Sequence, residues 1–184
     1  RPEQIDKSIA LGWTDNQKSL RDNLLECLVP PPPKPKWREE DGVIYFSVNS
    51  NGTTGYDWID RPTSDSFHIE FEAEHVLRSL KFKRTNSTRI EVAVLKGSLF
   101  ENNDRNLKHI KAEAKKRGLL QPKVELACLI CEKFTYQELK AMGLSDIIVM
   151  HEPTKDSYDD SVLLGAGNNR GTYWLRAHEL FPHD

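Results

Sequence analysis

The chain has 184 residues, of which 38% are hydrophobic and 29% charged, enough for one domain or for a domain with a small appendage. Its 26 Lys and Arg against 28 Asp and Glu leave a net charge of −2, which excludes a globally basic nucleic-acid binder. No apolar run is long enough to cross a membrane, and three cysteines, an odd number, exclude a disulfide framework and suit a reducing, cytoplasmic compartment.

The chain starts at Arg1 with neither Met nor an apolar leader, the pattern of a fragment or a processed chain. Leu20, Leu24, Leu25 and Leu28 recur at helical spacing, which predicts a helix over Asp15–Cys27 within an N-terminal appendage, residues 1–29. Residues 30–36 hold four consecutive prolines, which fix φ and remove donors, so they read as a polyproline II linker to a main domain at 37–184.

In the main domain, Val43–Val48 reads as a strand, followed by a turn at Asn49–Gly52. Thr54 and Asp57 have the spacing of a helix N-terminus, and the short helix carries Trp58 and Ile59 inward and stops before Pro62. A second helix is predicted over about 70–80, and a second strand over Ile90–Leu95. Asn103 or Asp104 caps a helix that runs to Arg117, with Leu107, Ile110 and Ala114 inward and Gly118 as its C′ residue. The next helix, from Lys123 to Lys133, is apolar nearly all round and is expected to be buried.

Thr135-Tyr136-Gln137-Glu138 is a capping box, with Phe134 before it and Leu139 at the staple position. Ile147–Met150 is a third strand, cut off by His151-Glu152-Pro153, after which the chain reads as an acidic surface loop until Trp174. Together these elements predict an α+β fold: a short mixed sheet with about four helices, plus the N-terminal helix on its polyproline spacer.

Three groups of residues bear on function. Residues 153–170 have few aliphatic anchors, and with the chain that follows they offer Tyr158, Asn168, Asn169, Tyr173 and Trp174 as adaptable contacts for a protein partner. His151, Glu152, Asp156, Asp159 and Asp160 form an alternative, a metal-binding cluster after a strand that would serve a hydrolase, although they match no established ligand spacing. Between Asp104 and Lys123, seven basic residues face two acids, and Lys108, Lys111 and Lys115 share a helix face that could touch phosphates of a nucleic acid, the weaker partner class. Cys128-Leu129-Ile130-Cys131 lies inside the apolar helix and reads as core. No dinucleotide, phosphate-loop or nucleophile-elbow fingerprint is present, so no cofactor and no catalytic residue is assigned.

Several segments are familiar: Asn51-Gly52-Thr53-Thr54-Gly55, Trp58-Ile59, Glu91–Gly97, Asn103-Asp104-Arg105, Ala127–Ile130 and Met150–Pro153. On these the chain resembles a group of uncharacterised bacterial proteins over about residues 43–176. Leu163–Ala166 and Trp174-Leu175 are similar to the opening of the C-terminal segment of retroelement-diversified, C-type-lectin-like variable proteins, although the chain ends at Asp184 before the aromatic strands that close such a fold. The resemblance carries no activity. It agrees with the leading expectation, a non-enzymatic binding or accessory module that meets a macromolecular partner through its C-terminal loop.

Overall fold

One apolar helix serves two sheets, and the rest of the main domain is arranged around it. The computed structural model describes residues 16–22, 35–61, 67–169 and 171–180. The chain divides into two compact units, Arg1–Lys36 and Trp37–Asp184. In the first unit residues 16–22 are helical and exposed. The remainder of the helix expected at Asp15–Cys27, and the four consecutive prolines of the linker, lie outside the described residues.

The first sheet has the order β1 (Arg38–Glu40), β2 (Val43–Asn49), β4 (Arg89–Leu95), all antiparallel. Asp41 and Gly42 join β1 to β2 at φ of 48° and 75°, the conformation that a two-residue hairpin turn needs. Alternation along the strands sends Ile44, Phe46, Val48 and Val92 into the core.

The second sheet has the order β3 (His68–Ile69), β8 (Thr172–Glu179), β7 (Ser161–Asn169), β5 (Asp146–Ile148), and β6 (Thr154–Lys155) also pairs with β7. β3 runs parallel to β8 and the other pairs are antiparallel, so this sheet is mixed. The α+β class stands as expected, with its strands divided between two sheets. The surface loop expected from Pro153 onward is corrected: β6 and β7 occupy it, and Val162 to Gly167 are buried.

Five α-helices lie among the described residues of this unit: α1 (Gly55–Asp60), α2 (Phe71–Arg78), α3 (Leu107–Lys116), α4 (Glu125–Lys133) and α5 (Tyr136–Ala141). α4 touches β2 of one sheet and β7 and β8 of the other, and Glu125 through Cys131 are all buried. A helix pressed on by two sheets has no polar face to keep, which explains its composition. Phe134, just after α4, meets Phe46 edge to face at 4.8 Å. Arg61 stacks on Trp58 at 4.1 Å and pairs with Glu132 at 2.5 Å, which ties α1 to the outer side of α4.

Inside this apolar packing sits one buried acid, Glu125. Its Oε1 shares the Ser50 hydroxyl, at 3.0 Å, with the Thr85 carbonyl at 2.6 Å, and its Oε2 accepts the Thr85 N–H at 2.7 Å together with the Thr85 hydroxyl. The Ser50 N–H in turn donates to the Thr88 carbonyl at 3.0 Å. One carboxyl group thus gathers the end of β2, the loop between α2 and β4, and the start of α4.

The helix starts follow local chemistry. Thr135 and Glu138 form the expected capping box on α5, and Thr54 and Asp57 form another on α1. α3 starts later than expected: residues Asn102–Asp104 wind into a 3-10 turn, and Asn106 caps the helix by accepting the His109 N–H at 3.0 Å. Gly118 follows that helix at φ 71°, as a C′ residue does.

Three substitutions test this packing by urea unfolding. Glu125→Ala leaves the half-buried Thr85 N–H without its acceptor and is expected to cost about 1–3 kcal/mol, whereas Glu125→Gln keeps an amide oxygen there and costs less. Thr135→Ala is expected to cost about 0.5–2 kcal/mol. A Glu125→Ala variant as stable as the native chain would contradict the clamp.

Candidate functional site

Residues paired across a sheet share a face, so the register of the second sheet sorts its side chains. Ile147, Val162, Leu164, Ala166 and Leu175 belong to the core cluster beside α4. The other face is built in three rungs. Asp146 pairs with Gly167, Gly167 with Trp174, and Trp174 with His68. Ile148 pairs with Gly165, and Gly165 with Arg176; Leu163 pairs with His178. Glu70, just after β3, reaches the same neighbourhood.

Two glycines make this face possible. A Cβ on Gly167 would overlap the Asp146 carboxyl, and one on Gly165 would come within 2.8 Å of His178 Nε2. With no side chains of their own, these positions let the neighbours lean across β7. Arg176 lies between two acids without closing on either: its NH1 is 3.9 Å from Asp146 Oδ1, and its Nε is 4.0 Å from Glu70 Oε1. Glu70 Oε2 is engaged by the Ala177 N–H at 2.9 Å. The His68 and Trp174 rings lie 4.9 Å apart.

Four side-chain atoms of this face are shielded from water and have no hydrogen-bond partner among the described residues: Asp146 Oδ1, Trp174 Nε1, Arg176 Nε and His178 Nε2. Buried polar atoms are normally paired, so such a group on one sheet face is left for ordered water to satisfy, or for an outside molecule once the side chains move to admit it. Burial, and then the charge of Arg176, hold the His178 pKa below its ordinary value, so its ring is neutral near pH 7.

The sequence-derived contacts are dispersed. Of the partner set, Trp174 and Asn169 lie on the outer face. Tyr173 is corrected: it is buried toward α4, its phenol pKa is pushed up by burial and by the adjacent Cys131, and it cannot meet a partner. Asn168 Oδ1 accepts the Gly171 N–H at 2.8 Å and closes the β7–β8 hairpin. Tyr158 is exposed, but it stands at the other end of the nine-residue strand β7, roughly 27 Å from Asn169.

The alternative metal grouping is not brought together. Among the described residues, the three acids or histidines whose ligand atoms approach within 4.8 Å are Asp156, Asp160 and Glu179, without His151, Glu152 or Asp159. Asp156 is spent on a turn: its Oδ1 accepts the N–H groups of Tyr158 and Asp160, each at 2.9 Å. Asp159, at φ 66°, gives its carbonyl to Lys155, and Glu152 accepts Gln121 Nε2 at 3.3 Å.

His151 repairs a gap in the sheet. β5 and β6 both pair with β7, and the chain leaves the ladder between them. There His151 Nε2 accepts the Leu164 N–H at 2.8 Å, and Nδ1 donates to the Glu152 carbonyl at 2.6 Å. Both ring nitrogens are occupied, so the neutral Nδ1–H form is required and no nitrogen remains for a metal. Burial holds its pKa below the ordinary value.

Lys108 and Lys115 are exposed on α3 and Lys111 is half-buried, while Ile110 and Ala114 line an apolar groove of about 320 Å³ between the edge strands β4 and β5. Cys128 and Cys131 are free, fully buried thiols whose pKa values burial pushes up, as expected of core residues. No helix among the described residues is long and apolar enough to cross a membrane. The chain matches no family model, no curated protein and no solved structure.

The histidines give a pH test. The folded chain binds a proton on His151 less readily than the unfolded chain, so the contribution is fully present above about pH 6.5 and is lost as pH falls through the lower folded pKa. Urea unfolding at pH 5 and pH 7.5 is expected to give a larger loss of stability in the native chain than in His151→Gln. Equal losses would contradict the assigned role.

Proposed function

We propose that the protein is a non-enzymatic binding or accessory module that meets a protein partner on the outer face of its C-terminal sheet. The contact surface is Trp174, Arg176 and His178, with His68, Glu70, Asp146 and Asn169 around them. The observation that carries the reading is the set of four shielded, unpaired polar atoms on a face whose glycines hold those side chains in place. Trp and Arg in a partly desolvated setting are the residue types that dominate protein interfaces. Preorganisation by the strand ladder lowers the entropy lost on binding. Two buried free thiols support a reducing, cytoplasmic location.

The reading moves the contact from the expected loop to a sheet face. It keeps the expectation of an interaction module, since Arg176 is offered to a partner's carboxylate or carbonyl groups and Asp146 and Glu70 to its donors. A photo-crosslinking residue at Asn169 tests it in cells. A discrete partner adduct is expected from Asn169 and not from Lys140, which is exposed on α5. Arg176→Gln is expected to weaken that adduct about tenfold without changing the melting temperature. Equal labelling from both positions, or labelling indifferent to Arg176→Gln, would contradict it.

A further inference from the structure

We propose that a second site, the pocket between the α2–β4 loop and the start of α4, binds the phosphate group of a small organic phosphate such as a nucleoside diphosphate. The pocket has a volume of about 380 Å³, within the size range of small-molecule sites. Lys81 and Lys83 line it from the loop, and Lys123 lines it from the residue pair that precedes α4. None of the three has an ion-pair partner among the described residues, although other lysines, such as Lys96 and Lys155, do. The two basic stretches, forty residues apart in sequence, converge here.

The convergence has a structural cause. Phe82 packs against the core between the two loop lysines and sends them outward. The Glu125 clamp on Thr85 holds the same loop against the start of α4. Lys123 and Val124 border the pocket at the start of α4. Lys111 of α3 lies near enough to His151, on the pocket floor, for its charge to oppose protonation there. Glu152 is the single acid of the lining, and Gln121 holds it. The prolines Pro122 and Pro153 give an apolar wall that suits the organic part of an ester. A concave site with one cluster of cations fits a compact phosphate better than an extended backbone, which needs a stripe.

Isothermal titration of the full chain with inorganic phosphate, with ADP and with a short single-stranded oligonucleotide tests the site. Saturable ADP binding is expected, with inorganic phosphate competing and affinity falling as salt rises. Lys81→Ala/Lys83→Ala is expected to weaken ADP about tenfold or more, and Lys81→Arg/Lys83→Arg to retain most of it. Absence of saturable ADP and phosphate binding would overturn the proposal. So would ADP binding indifferent to the alanine pair, or binding of the oligonucleotide alone with loss on Lys108→Ala/Lys115→Ala, which would assign phosphate contact to the α3 stripe.

Discussion

The buried carboxyl of Glu125 is the constraint on which the arrangement depends. It stands at the start of α4, the helix that both sheets share, and takes donors from Ser50 and Thr85. A polar group inside an apolar helix is expensive unless its bonds are met, and here they are met by the segments that need positioning. β2 is held by its end, the α2–β4 loop is held by its middle, and α4 is fixed against both. The lysines of the loop acquire a defined place through that bond.

The second sheet follows from the same helix. With one face pressed on α4, the strands carry Ile147, Val162, Leu164, Ala166 and Leu175 on that side, and the opposite face mixes Ile148 and Leu163 with Asp146, Trp174, Arg176 and His178. Glycine at positions 165 and 167 removes the side chains that would stand between them. The result is a face whose groups are mutually shielded but not mutually bonded. Its two loose ion pairs, at 3.9 and 4.0 Å, hold Arg176 centrally without satisfying it. His151 performs the opposite service at the edge of the sheet, where its ring replaces a missing strand residue and completes the bonding of Leu164.

Local signals were legible wherever a side chain and its own backbone settle the matter. Both threonine capping boxes, the glycine after α3 and the all-apolar character of α4 could be read from spacing alone. The β1–β2 hairpin carries its own Asp-Gly turn signal at 41–42. β7 is different. Ser161–Asn169 is rich in Gly and Asn, which disfavour strands, and its identity depends on neighbours more than ten residues away that fill the space its glycines vacate. The candidate face was hidden for the same reason: Glu70, Asp146 and Arg176 are scattered in sequence and meet only through strand register. Glu125 is masked by its apolar neighbours, although an acid within such a run is itself the signal of a buried, bonded carboxyl.

The central claim is that the outer sheet face is completed by something other than the chain itself. A high-resolution crystal structure tests this most directly, through the density around Asp146 Oδ1, Trp174 Nε1, Arg176 Nε and His178 Nε2. The account predicts ordered water, a bound molecule or a neighbouring copy bridging these atoms. Direct hydrogen bonds among them, or from another part of the same chain, closing the face with no outside group, would contradict it.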